Sequence, residues 1–146
     1  MSKIITKFIA DLAVTTAKLA DDAVADKALA TVGGVDLKTV GQTTLYTVPS
    51  GKTLVIVEVI ARLTAASGVT VAPVIRIGKA AAYNEWLGLT TLTGLDVAEE
   101  FIKLAESASA LVYKTFAAGE VVKVDVQTGA TATTMTATFY VFGYLV

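Results

Sequence analysis

Two residue types that dominate enzyme active sites are missing from this chain. The sequence has no cysteine and no histidine among its 146 residues. Without cysteine, neither a disulfide framework nor a zinc site built from thiolates can form. Without histidine, the chain lacks the usual general base and the commonest metal ligand. Catalysis by Ser-His-Asp or Cys-His arrangements is therefore excluded.

Charged residues are also scarce. They make up 17% of the chain, and 12 basic against 13 acidic residues leave a net charge of −1. No basic field exists to hold nucleic acid phosphates or an anionic membrane, so we expect a protein partner and neither nucleic acid nor membrane. Hydrophobic residues reach 54%, yet no aliphatic run has the roughly 20 residues of a spanning helix. We therefore expect other subunits to cover part of the apolar surface.

The carboxylates do not form a convincing catalytic or metal site. The adjacent pairs are Glu99-Glu100 and Asp21-Asp22. Neighbouring side chains in a strand point to opposite faces, so Glu99 and Glu100 would not converge on a substrate. No loop with alternating oxygen ligands supports calcium, and no glycine pattern supports phosphate binding. We expect no catalytic residue, no cofactor and no metal.

The first 34 residues form a repeat that matches neither regular secondary structure. Apolar residues recur at every fifth position, at Ile4, Ile9, Val14, Leu19, Val24 and Leu29. A five-residue step turns a helix by roughly 500°, which scatters these side chains around the axis. In a strand, an odd step alternates faces. We interpret residues 1–34 as a non-globular arm whose six repeated residues contact neighbouring subunits. An Ala-rich helix and an extended strand-and-turn repeat both remain open.

The composition changes after the arm. Residues 35–41 are interpreted as a joint, and residues 42–146 as one β domain, because β-branched and aromatic runs are separated by turn signals. A turn at Pro49-Ser50-Gly51 separates two predicted strands. Alternation in the second of these strands places one apolar set toward the core. That set comprises Val55, Val57, Val59, Ala61 and Leu63.

Two later segments are harder to interpret. DVAEEFIKLAE can form a helix with Asp96 as its N-cap and Glu99 at N3. It can also form a strand over residues 99–105, which we favour because its neighbours are strands. Residues 80–95, AAAYNEWLGLTTLTGL, are interpreted as an irregular excursion. Its aromatics Tyr83 and Trp86 could stack on a sugar from an exposed loop, plug the sandwich or join a trimer interface.

Three stretches resemble a known group of proteins. AVTTAKLADDAV resembles the degenerate ten-residue repeats near the N-termini of tailed-bacteriophage fibre and other virion proteins. TLYTVPSGKTLVIVEVIARLT resembles the opening hairpin of small phage β domains, and EVVKVDVQTGATATTMTATFYVFGYLV resembles their closing strands. The resemblance covers the arm and about half of the rest, leaving residues 79–116 unmatched.

The resemblance implies a trimeric virion protein with a jelly-roll or related β-sandwich. We therefore expect an all-β chain, a jelly-roll-like antiparallel sandwich preceded by a non-globular N-terminal arm. The family's members decorate or cement capsids, or form fibres and spikes. A chain of 146 residues leaves no room for a fibre shaft. This favours a homotrimeric capsid decoration (cement) protein that binds the shell, through the major capsid protein or another virion protein, with its N-terminal arm and trimer base. A short tail fibre, spike or receptor-binding module is the alternative, and an enzyme is not expected.

Overall fold

The structure is all-β. The computed structural model describes residues 28–79, 82–104 and 115–146, with the backbone alone for residues 82–85. No helix occurs in these ranges, and hence none that could cross a membrane. The strands are β1 (Ala30–Asp36), β2 (Gly41–Thr47), β3 (Leu54–Ser67), β4 (Val74–Lys79), β5 (Ala82–Thr91), β6 (Phe101–Leu104), β7 (Thr115–Phe116), β8 (Val121–Thr128) and β9 (Thr134–Leu145).

The strands form two antiparallel sheets. The first sheet has the order β1-β9-β3-β6, and β7 pairs with the same edge of β3 as β6. The second sheet has the order β2-β8-β4-β5. From β1 to β4, each strand lies in the opposite sheet from the one before it. This strand order is that of a jelly roll, so the predicted jelly-roll-like sandwich is confirmed.

The first strand crosses the predicted boundary between arm and joint. β1 begins at Ala30, and its pairing with β9 shifts register between Val32 and Val35. The two glycines between them form this bulge, and Gly34 has a φ of 70°. Residues 30–36 therefore belong to the sandwich, because the bulge turns Val35 into the core, where it is 3% exposed. Residues 1–27 of the predicted arm lie outside the described residues.

The register predicted for β3 is correct in only one half of the strand. Val59, Ala61 and Leu63 are fully buried. A bulge between Ile56 and Glu58, opposite β9, reverses the faces in the first half of the strand. Ile56 is therefore buried and Val57 is 55% exposed, so the placement of Val57 in the core was wrong.

The turn at Pro49-Ser50-Gly51 is present, although it does not close a hairpin. Lys52 N donates to Pro49 O at 3.2 Å, and Gly51 adopts a φ of 71°, which glycine tolerates without strain. However, β2 pairs with β8 in the second sheet, whereas β3 pairs with β9 in the first. The predicted hairpin is wrong because β2 and β3 lie in opposite sheets. Both strands direct apolar side chains into the core between the sheets.

The segments around β5 and β6 are more regular than predicted. β5 is a ten-residue strand paired with β4, so the irregular excursion predicted over residues 80–95 was wrong. Cross-strand pairing supplies the order that its Thr- and Gly-rich composition does not indicate. The strand favoured over the helix for the next segment is confirmed, in the shorter form of β6.

Three carboxylates hold turns between strands. Glu100 accepts the backbone N–H groups of Asp96 and Val97 at 2.8 and 2.9 Å, and these bonds lower its pKa. The Thr39 hydroxyl and a backbone N–H lower the pKa of Asp36 in the same way. Glu120 accepts from Lys79 Nζ at 3.0 Å and from a backbone N–H at 2.7 Å, and both bonds lower its pKa.

The bulge in β3 predicts opposite outcomes for two neighbouring valines. Val59→Asp should cost several kcal/mol, because it buries a charge without a partner. Val57→Asp should leave the protein folded, because its side chain lies at the surface. Far-UV circular dichroism and urea denaturation at 25 °C would compare the two. Equal loss of structure in both variants would contradict the position of the bulge.

The turn at Glu120 predicts a pH-dependent contribution to stability. The pKa of Glu120 is lower in the folded protein than the usual 4.5. The ionised carboxylate therefore stabilises the fold fully above pH 4.5, and this contribution is lost as the pH falls through the pKa of the folded state. Glu120→Gln should lower the free energy of unfolding by roughly 0.5–1 kcal/mol at pH 7. The difference should be smaller at pH 3 than at pH 7 in matched urea titrations, because more of the carboxylate is protonated there. An equal loss at both pH values would show that the charge is not responsible.

Candidate functional site

The two outer faces of the sandwich differ in chemistry. In β9, Met135, Ala137, Phe139 and Val141 point into the core and are fully buried. The intervening side chains therefore point away from the core on the outside of the first sheet. The last three of them are large and aromatic: Tyr140, Phe142 and Tyr144.

Apolar side chains of the neighbouring strands extend this aromatic stripe. Across the β3–β9 pairing, Val55 lies opposite Tyr144, and Ile60 lies opposite Tyr140. Val57 joins them through the bulge, and Phe101 of β6 lies beyond Arg62 of β3 on the other side. We call this surface the aromatic face, and it comprises Val55, Val57, Ile60, Phe101, Tyr140, Phe142 and Tyr144.

Several members of the aromatic face are well exposed. Val57 is 55% exposed, Tyr144 63% and Phe101 70%, whereas the others are partly covered. Val146 continues the surface at 69% exposure. Its backbone is fixed by reciprocal bonds with Thr53, at 2.8 and 2.9 Å, so the end of the stripe is held in place. The face is therefore apolar and built on paired strands, which can bury a flat partner surface.

The charges near the aromatic face neutralise one another. Lys103 Nζ lies 2.9 Å from Glu58 Oε2. Arg62 pairs with Glu99, which is the only residue other than glycine with a positive φ (75°) in the described ranges. The loop that Glu100 anchors holds Glu99 toward Arg62 and leads directly into Phe101. Thus Glu99 and Glu100 act separately, as the sequence predicts, and the face carries no net charge from these four side chains.

The outer face of the second sheet is polar. Asp125 is 3% exposed, and its Oδ2 accepts from Arg76 Nε at 2.9 Å, from Arg76 Nη2 at 2.8 Å and from Gln127 Nε2 at 2.7 Å. Beside this cluster, Lys123 Nζ donates to Gln42 Oε1 at 3.4 Å. A buried ion pair is stable only when its polar atoms are hydrogen-bonded. An apolar partner would offer no hydrogen bonds to these side chains, so this face is better suited to contact with water.

The aromatics singled out from the sequence lie elsewhere. Trp86 is 1% exposed in the core, and its indole N–H has no hydrogen-bond partner in the described part of the chain. It is therefore not an exposed-loop residue. In the pairing of β4 with β5, the register shifts on both sides of the Ile77–Leu87 pair. Trp86 and Leu87 therefore both face the core, although they are consecutive. Tyr83 belongs to β5, but its side chain is outside the described residues.

Of the six repeated arm residues, the structure describes only Leu29. Leu29 is partly buried and packs against the core next to the start of β1. The others, Ile4, Ile9, Val14, Leu19 and Val24, lie outside the described residues, and their contact role stays a prediction.

The aromatic face was not predicted from the sequence, although the sequence contains a pattern that indicates it. In TTMTATFYVFGYLV, the final residues are apolar at both odd and even positions. Such a pattern indicates a strand covered on both faces. Within the described ranges, no group of three or more acidic residues could hold a metal ion. The aromatic face therefore offers a surface for apolar contact.

Comparisons with known proteins place the fold. No protein-family model and no curated protein matches the chain. A chain in the acidic stable capsid structure of Helicobacter pylori bacteriophage KHP30 is similar, with a TM-score of 0.51 and 16% identity, covering 80% of this chain and 94% of that one. A chain in the capsid asymmetric unit of cyanophage Pam1 is similar with a TM-score of 0.51 and 10% identity, covering 80% of this chain and 81% of that one. At these identities, the similarity shows a shared fold.

Proposed function

We propose that this chain is a structural virion protein, a homotrimeric capsid decoration (cement) protein located on the capsid surface. The observation that carries this proposal is the similarity of its jelly roll to chains in two phage capsid structures. Each similarity covers 80% of this chain. The sequence resemblance to small virion proteins, which covers the arm and about half of the rest of the chain, points the same way. The proposed partner is the major capsid protein or another virion protein.

The surface chemistry fits a protein that works by contact. The described residues offer an uncharged apolar face on one sheet and a polar face on the other. An exposed apolar patch on a small domain marks an interaction site. A protein with one face of each kind binds other proteins in a fixed orientation, as a decoration protein must.

The N-terminal arm is the proposed tether to the shell. Fixing the backbone of an arm residue costs about 1–2 kcal/mol, and burying an Ile, Val or Leu returns roughly 1.5–3 kcal/mol. One buried side chain can therefore offset the ordering of about one to three residues, so the proposed tether is ordered at its repeated contact positions and not along all of residues 1–27. Three arms on one trimer would raise the attachment through avidity. Leu29, which packs on the sandwich, would fix the direction in which each arm leaves.

The location on the particle separates this proposal from its alternative. A cryo-EM map of the particle that carries the protein should show jelly-roll density repeated over the capsid lattice. Density at the tail would instead support a short fibre, spike or receptor-binding module.

Removal of the arm provides a biochemical test. Deletion of residues 1–27 leaves all nine strands intact, so the protein should stay folded. It should bind at least tenfold more weakly to particles that have been stripped of the full-length protein, because the tether is lost. Co-sedimentation over a range of protein concentrations would measure both affinities. Equal affinity of the two forms would mean that the arm is not the tether.

A matched pair of full-length variants separates the repeat from the length of the arm. The first variant changes the apolar repeat positions to serine: Ile4, Ile9, Val14, Leu19 and Val24. The second changes five intervening alanines to serine: Ala10, Ala13, Ala17, Ala20 and Ala23. Only the first should weaken binding. An equal effect of both would assign the contact to the composition of the arm and not to its repeat.

A further inference from the structure

We propose that the aromatic face is the surface through which copies of this chain associate. This inference names the contact surface of the proposed homotrimer and rests on that part of the proposed function. It does not depend on binding to a capsid. The occupant of the face is the same face of the other copies, which in a closed trimer meet around the threefold axis.

The chemistry of the face requires a cover. Tyr144, Phe101 and Val57 are more than half exposed, on strands whose opposite sides pack against the core. Burial of a single large apolar side chain contributes substantially to association, and aromatic side chains dominate the contacts at protein interfaces. The side chains project from the two central strands of the first sheet, β9 and β3. A partner on this sheet would therefore bury the aromatic stripe at the centre of the contact.

The dimensions of the face match a stable subunit contact. The strands of the first sheet differ in length, with 7, 12, 14, 4 and 2 residues in β1, β9, β3, β6 and β7. At about 3.3 Å along a strand and about 4.8 Å between strands, they cover roughly 600 Å². That is the lower end of the ~600–1,000 Å² that each partner contributes to a stable interface. A face of this size can hold copies together without help from the arm.

The charges favour a second copy over a charged partner. Glu58 pairs with Lys103, and Arg62 pairs with Glu99, all within one chain. Two such faces would therefore not repel each other, and no unpaired charge would be buried between them. A strongly basic or acidic partner would find no complementary field here. The second sheet, with its Asp125–Arg76 pair, would stay in water.

The first experiment disrupts the face and compares it with a control on the other sheet. The test variant carries Val57→Asp and Tyr144→Asp, and the control carries Leu89→Asp. Leu89 is 66% exposed on β5 in the second sheet, so the two variants change equally exposed side chains. Native mass spectrometry and sedimentation velocity of the full-length protein at micromolar concentration would give the oligomeric state.

Wild type and Leu89→Asp should be trimeric, and the double variant should be monomeric with an unchanged far-UV circular dichroism spectrum. A monomeric wild type would overturn the inference. So would a double variant that stays trimeric, or a Leu89→Asp variant that dissociates.

The second experiment locates the contact without weakening it. Because the chain has no cysteine, Tyr144→Cys and Leu89→Cys each introduce a unique thiol. A short bis-maleimide should link Tyr144→Cys chains to one another in free protein, and should leave Leu89→Cys chains unlinked. If Tyr144→Cys is unlinked and freely labelled in solution, but protected on particles, the occupant is the shell and the inference is wrong. Failure of capsid binding alone would leave both results unchanged, so the two proposals fail separately.

Discussion

The pairing of β9 with β3 is the constraint on which the rest of the structure depends. β9 also pairs with β1, so β9 joins β1 and β3 side by side in the first sheet. Its inward side chains, including Phe139 and Met135, are fully buried against the second sheet. Because β9 lies between β1 and β3, this layer of the core is complete only when β9 has paired with both strands up to its C-terminal end. The backbone bonds between Thr53 and Val146 then hold that end in place.

The same pairing creates the aromatic face. Alternation along a strand means that a fixed inward set also fixes an outward set. Once Phe139 and Val141 are inside, Tyr140, Phe142 and Tyr144 must lie outside, beside the apolar residues of β3. Stability of the single chain and the proposed association with other copies would therefore draw on opposite sides of one strand. The second sheet is polar on its outer side, where Asp125 accepts hydrogen bonds from Arg76 and Gln127. The two outer sides of the sandwich therefore differ in chemistry.

Small irregularities decide which residues take part. The bulge after Ile56 moves Val57 from the core to the surface, next to the stripe on β9. The Gly33-Gly34 bulge does the reverse in β1, since it returns Val35 to the core. The loop that Glu100 anchors brings Glu99 to Arg62 and starts β6 at Phe101. Each of these features departs from simple alternation by a single residue or turn, and each changes the composition of a face.

The sequence alone determined the fold class, the strand at β6, the turn after Val48 and the absence of cysteine and histidine chemistry. These follow from local composition and short periodicity, which every segment carries by itself. Only the tertiary structure decided which strands pair, so it replaced the expected hairpin with a connection between sheets and made a strand of residues 82–91. It also decided that Trp86 is buried and that Val57 is exposed. A bulge depends on the partner strand, and side-chain burial depends on what packs against it, so neither is encoded in a segment read alone.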